Sequence, residues 1–123
     1  MSQLRHFIGL MSGTSADAID AALVGFESDG TTHLVCTHTL ELPADLKTRI
    51  IAAQTRVDTT IRDVCEQDVA LSLLYAAAVE TLIEKAKVPV SEIEAIGNHG
   101  QTLLHAPEVD HPFTLQIGDN HRL

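Results

Sequence analysis

The sequence predicts an α/β fold: a mixed sheet with an antiparallel three-strand meander and covering helices. Three observations carry this. Three strand-like runs follow one another directly, the apolar spacing turns helical after Pro43, and short apolar runs return near Gly97 and before Gly118.

The first run, His6 to Met11, ends in Ser12-Gly13-Thr14-Ser15, and the second, Ile19 to Phe26, stops at Ser28-Asp29-Gly30. The third, Thr32 to Leu42, sets Leu34, Cys36, His38, Leu40 and Leu42 against an alternating polar face. Phe7–Met11, Ile19–Phe26 and Thr32–Leu42 are expected to be neighbouring antiparallel strands. Ala44 to Gln54 then carries Leu46, Ile50 and Ile51 at helical spacing. A longer helix is expected from about Thr60 to Lys87. Ile61, Val64, Leu71, Leu74, Tyr75, Ala78 and Leu82 lie on or near one face of it. Thr60 and Asp63 are spaced as a start box, and Pro89 helps end it. Ser91–Glu94 reads as a single capped turn, Ala95–Gly97 as a short buried strand entering a loop, and Phe113–Ile117 as a further strand. Gly118 to Leu123 looks like a helix begun and not completed. Domains normally end after an element, so a truncated chain is expected.

Composition narrows the function. The 123 residues suffice for one core, and 45% hydrophobic with 20% charged residues is ordinary for a globular domain. With 17 acidic and 8 basic residues the formal charge is −9. No Lys/Arg cluster is present to displace counterions, which argues against nucleic acid and against an anionic membrane surface as partners. A phosphate-bearing ligand stays open, because backbone N–H groups bind anions without side-chain charge. Cys36 and Cys65 form no metal pattern or disulfide framework and are expected as small buried apolar residues. No apolar stretch resembles a signal core or a membrane span, so the cytoplasm is the expected compartment.

Three stretches carry chemistry. In Ser12-Gly13-Thr14-Ser15-Ala16-Asp17-Ala18-Ile19-Asp20, a small hydroxyl-rich turn lets backbone N–H groups approach a ligand, and Gly13 has no Cβ to block them. Asp17 and Asp20 can hold a metal ion or its waters, or orient a sugar hydroxyl. The plainer reading is a hairpin turn with exposed aspartates. In Asn98-His99-Gly100-Gln101-Thr102, His99 and Gln101 combine donor and acceptor capacity at a strand end. The plainer reading there is a polar loop whose histidine is satisfied by backbone. Gln116-Ile117-Gly118-Asp119 repeats the pattern of polar groups and Gly at a strand end. The histidine spacings match no zinc pattern, and no metal-ligating residue is assigned.

Together and in this order, the three stretches resemble the N-terminal part of the anhydro-N-acetylmuramic acid kinase family. Met11 to Asp20 matches its first-strand motif Met-Ser-Gly-Thr-Ser-x-Asp-Gly-x-Asp, His99 to Thr102 its His-Gly-Gln-Thr, and Gln116 to Asp119 its Gln-Ile-Gly-Asp. The resemblance implies the N-terminal half-domain of the actin/hexokinase/Hsp70 ATPase fold. It implies an ATP-dependent, Mg2+-assisted opening of the anhydro ring, with phosphorylation of the freed hydroxyl, in peptidoglycan recycling. Ser12, Gly13, Thr14, Ser15, Ala16, Asp17, Ala18, Ile19 and Asp20 would then meet the ATP phosphates. His99, Gln101, Thr102, Gln116 and Asp119 would face the sugar. The family's catalytic base and second ATP-clasping domain would lie beyond residues 1–123, leaving this chain alone inactive, and a homodimer is compatible with the full-length family. The alternative is a stand-alone remnant binding a nucleotide or partner without turnover. One departure stands out: Ala18 occupies the family's Gly position, at a cost of about 1 kcal/mol if positive φ is needed there.

Overall fold

The computed structural model describes residues 4–55 and 58–122. Strands β1 (Arg5–Ser12), β2 (Ala18–Phe26) and β3 (Thr32–Glu41) form the expected antiparallel meander. Helices α1 (Ala44–Thr55) and α2 (Ile61–Ala86) follow, and β4 (Ile93–Asn98) returns parallel to β1, giving the order β3-β2-β1-β4. The expected mixed sheet is therefore present, with its one parallel pair at the β1–β4 seam.

Alternation decides which face is covered. Ile8, Leu10 and Ser12 of β1 and Ile19, Ala21 and Leu23 of β2 point to one side and are buried. The long helix lays Leu71, Tyr75, Ala78 and Leu82 on that side, all with no exposed surface, while α1 adds Leu46 and Ile50. Burying each large side chain contributes about 1.5–3 kcal/mol, as an upper estimate. The helix start is as the spacing suggests. The Thr60 side chain accepts from the Asp63 N–H, and the Asp63 carboxylate accepts from the Thr60 N–H. Lys87 closes the helix in a left-handed conformation (φ 56°).

Several expectations need correction. Ile61, the first residue of α2, is 83% exposed and does not join the buried face. Cys65 is exposed and Cys36 only half-buried, so neither is a fully buried apolar residue. Leu34 is exposed as well. The β2–β3 register shifts so that Leu23 faces Cys36 and Val24 faces Leu34, leaving Val35 as the extra residue of a bulge that breaks the alternation. The turn after Pro89 is a short 3-10 helix, Val90–Glu92, without a side-chain cap.

The largest correction lies near the carboxyl end. Gln101–Ala106 is a strand, β5, where only a loop and scattered polar residues were expected. It pairs antiparallel with β6 (Phe113–Ile117) in a separate two-stranded sheet, so β6 does not join the main one. Residues Asn120–Arg122 make a 3-10 turn, and Leu123 lies outside the described residues.

Candidate active site

The parallel β1–β4 pair brings two of the three motifs together. Both strands end at the same edge of the sheet, and the His99 N–H donates to the Leu10 carbonyl at 3.0 Å just past the end of β4. Open α/β sheets place ligands in the crevice beyond such carboxyl ends. Here the crevice is framed by the Gly13 turn after β1 and the His99-Gly100 turn after β4.

The first turn is compact. Ala16 N–H donates to the Gly13 carbonyl (3.0 Å), closing a turn whose tip residues, Thr14 and Ser15, are exposed. A Cβ placed on Gly13 would meet nothing within 4 Å, so the space over this residue is open to a ligand. The strained residue is Ala16, fully buried with φ 54°. Ala18, by contrast, lies in β2 opposite Glu41 and is not among the positive-φ residues, so replacing the family's Gly costs no backbone strain. Asp17 reaches the Lys47 ammonium of α1, and its carboxyl is held below the usual range first by that hydrogen bond, then by Ser15. Asp20 points to the sheet face without helices, where Oδ1 accepts from the Thr39 hydroxyl at 2.9 Å. It shares an open cavity of about 650 Å3 there with Gly9, Met11, Thr39, Gly97 and His99. Asp17 and Asp20 are thus turned to different partners. Among the described residues, no group of three or more His, Cys, Asp or Glu side chains could hold a metal ion.

The other two motifs are tied to the first by side chains. Gln101 is fully buried, and its Nε2 donates to the Gly13 carbonyl at 2.9 Å while Oε1 has no protein partner. Gln54 of α1 donates from one Nε2 to both the Thr14 carbonyl (3.2 Å) and the Thr102 carbonyl (2.9 Å). Gln116 donates to the Thr102 hydroxyl at 3.1 Å across the β5–β6 pair. Asp119 accepts from the His121 N–H and faces Arg122, so it caps the 3-10 turn. Asn98 orders the second turn, accepting from Gly100 N–H at 2.9 Å and donating to Asn120 Oδ1 at 2.9 Å. His99 is exposed.

Four residues that shape the site were not singled out by sequence reasoning: Lys47, Gln54, Asp68 and Tyr75. Asp68 and Gln54 lie on ordinary amphipathic helices, where a polar residue reads as a solvated face. Tyr75 did carry a signal. It is the chain's one tyrosine, placed on an apolar stripe, and a buried phenol requires a hydrogen-bond partner. It shares a 2.8 Å hydrogen bond with Ser12 Oγ. Burial raises its pKa, and the Ser12 contact partly opposes that.

Comparison with known proteins points to one family. A model of the anhydro-N-acetylmuramic acid kinase family matches residues 5–123. The chain is 50% identical over 114 residues to the anhydro-N-acetylmuramic acid kinase of Coxiella burnetii, covering 93% of this chain and 30% of that protein. It is 43% identical over 119 residues to the kinase of the same name from Idiomarina loihiensis, covering 97% and 32%. With that of Vibrio vulnificus, identity is 42% over 119 residues, again covering 97% and 32%. The chain therefore spans about a third of the length of these curated relatives. A match over nearly the whole chain places this protein in the anhydro-N-acetylmuramic acid kinase family.

Proposed function

We propose that this chain serves as the N-terminal, phosphate-gripping part of an ATP-dependent kinase that opens the ring of anhydro-N-acetylmuramic acid and phosphorylates the freed hydroxyl. The observation that carries this reading is the shared carboxyl edge of β1 and β4, where the open Gly13 turn stands beside the His99 turn. The Ser12–Asp20 segment would offer backbone N–H groups and the Thr14 and Ser15 hydroxyls to ATP phosphates. Hydrogen bonds to charged oxygens contribute about 1.5–3 kcal/mol each. His99, Thr102, Gln116 and Asp119 would face the sugar, and Gln101 would act from beneath through the Gly13 carbonyl. A nucleotide-bound Mg2+ fits this donor set only modestly. Asp20 has an exposed carboxylate for a metal-bound water, whereas Asp17 is already neutralised by Lys47. Bound there, the cation would neutralise phosphate charge.

Expected surroundings follow from composition. No described helix is long and apolar enough to cross a membrane, and the acidic balance argues against nucleic acid. A cytoplasmic site of action, in peptidoglycan recycling and with a homodimer as the full-length state, accords with the family.

The direct test is Gly13→Val in the full-length kinase carrying this segment. The KM for ATP should rise at least tenfold with thermal stability unchanged, because the added methyls would occupy open space needed by phosphate. An unaltered ATP requirement in a folded variant would count decisively against the assignment. Residues 1–123 alone should show no turnover. A general base contributes about 10²–10⁴-fold, and positioning accounts for most of phosphoryl-transfer catalysis. Asp17 is paired with Lys47, and Asp20 Oδ1 already accepts from the Thr39 hydroxyl. Incubation with ATP, magnesium and the anhydro sugar checks this, and turnover within tenfold of a full-length relative would overturn it.

A further inference from the structure

Helix α2 reaches the first and third motifs from one face. Asp68 and Tyr75 are seven residues apart, about two helical turns, and so project to the same side. The fully buried Tyr75 meets Ser12 Oγ at 2.8 Å, at the last residue of β1 before the Gly13 turn. The half-buried Asp68 accepts the Gly118 N–H on Oδ1 at 2.6 Å, one residue before Asp119. Gly118 also lies against the Tyr75 ring, since a Cβ on it would stand 2.7 Å from Cε2. The Gly118 carbonyl also faces Asn98 Nδ2 at 3.5 Å. Both turns are thus referenced to one rigid helix, and they also share the Tyr75 ring.

We propose that Asp68 and Tyr75 are positioning residues, each serving a different substrate: Tyr75 sets the phosphate turn through Ser12, and Asp68 sets the sugar-side turn through Gly118. This rests on the kinase reading above. Tyr75, with no exposed surface, cannot touch either substrate directly. A fastening that served stability alone would not distinguish ATP from sugar, whereas two separate tethers should.

The test uses the full-length kinase carrying this segment, with Tyr75→Phe, Asp68→Ala and Asp68→Asn. Tyr75→Phe keeps the ring against Gly118 and removes only the hydroxyl. It should raise the ATP KM or lower kcat about three- to tenfold, the scale of one neutral hydrogen bond, with the sugar KM unchanged. Asp68→Ala should raise the sugar KM about tenfold with the ATP KM unchanged. Asp68→Asn retains an acceptor oxygen and should stay within about threefold of wild type. Exchange of the Gly118 amide hydrogen should accelerate in Asp68→Ala and not in Asp68→Asn. Equal shifts of both KM values, no shift in either, or Asn as impaired as Ala would overturn the proposal. Should Asp68→Ala not fold, Tyr75→Phe and the exchange rate in Asp68→Asn carry the test. A wild-type enzyme inactive on the anhydro sugar overturns the kinase reading instead. Gly118 exchange then decides the Asp68 tether by itself, and an unchanged rate in Asp68→Ala sinks it.

Discussion

The Gly13 turn and the turns at Gly100 and Gly118 are held in place by different means. Around Gly13 the backbone has room, and order comes from tethers: Gln101 on the Gly13 carbonyl, Gln54 on the Thr14 carbonyl and Lys47 on Asp17. At Gly100 and Gly118 the backbone itself is committed. Their φ angles are 77° and 123°, and a Cβ would lie 2.5 Å from the Ile117 carbonyl oxygen or 2.7 Å from the Tyr75 ring. On the proposed reading, the turn that would admit phosphates stays open above and is fastened from below. The turns that would set side chains toward a sugar are fixed by close packing. The difference teaches that a glycine's importance to ligand access and its importance to folding are separable.

Substitutions can break this comparison. The largest effect on stability is expected for Gly100→Ala, at about 3 kcal/mol by urea unfolding. Positive φ and an overpacked contact each cost about 1–3 kcal/mol, and a backbone carbonyl within the β5–β6 pair cannot rotate away. Gly118→Ala should cost about 2 kcal/mol, because the obstructing atom belongs to a side chain. Pairing it with Tyr75→Leu in a double-mutant cycle should reveal a favourable coupling of at least about 0.5 kcal/mol. Strict additivity would show that the ring is not what Gly118 meets. Gln101→Leu should cost less than about 1 kcal/mol. It loses the bond to Gly13 and also removes the unpartnered Oε1, so the two effects offset. Its expected signature is a raised ATP requirement in the full-length kinase, and a loss of folding would move Gln101 into the same class as Gly100. The smallest stability effect belongs to Gly13→Val, near zero, with its consequence confined to ATP.

Much of the fold was legible because local rules agreed with tertiary ones. The meander, both helices, the Thr60–Asp63 box and the final strand all arise from alternation, spacing and capping within a short window. The failures came where distant contacts decided. Gln101–Ala106 carries a register shift after Thr102, and that, with polar Gln101, Thr102 and His105, hides the period-2 signal. Ile61 fits the helical stripe yet is 83% exposed. The Val35 bulge reverses Leu34 for reasons that lie in pairing with β2 and not in β3 itself.

The candidate site divides in the same way. Sequence alone determined the three motifs, their order, their family and the acidic, helix-and-strand character of the chain, because those are properties of residues and their near neighbours. Only the tertiary structure decided that strain sits at Ala16 and not Ala18, that Asp17 and Asp20 face apart, and that Gln101 lies beneath the Gly13 turn. It alone revealed Asp68 and Tyr75 as links between turns that are more than 100 residues apart in the chain. The reason is geometric: a hydrogen bond depends on tenths of an ångström and a direction. Those are set when β4 docks parallel to β1 and α2 packs across the sheet, and no local stretch of sequence encodes them.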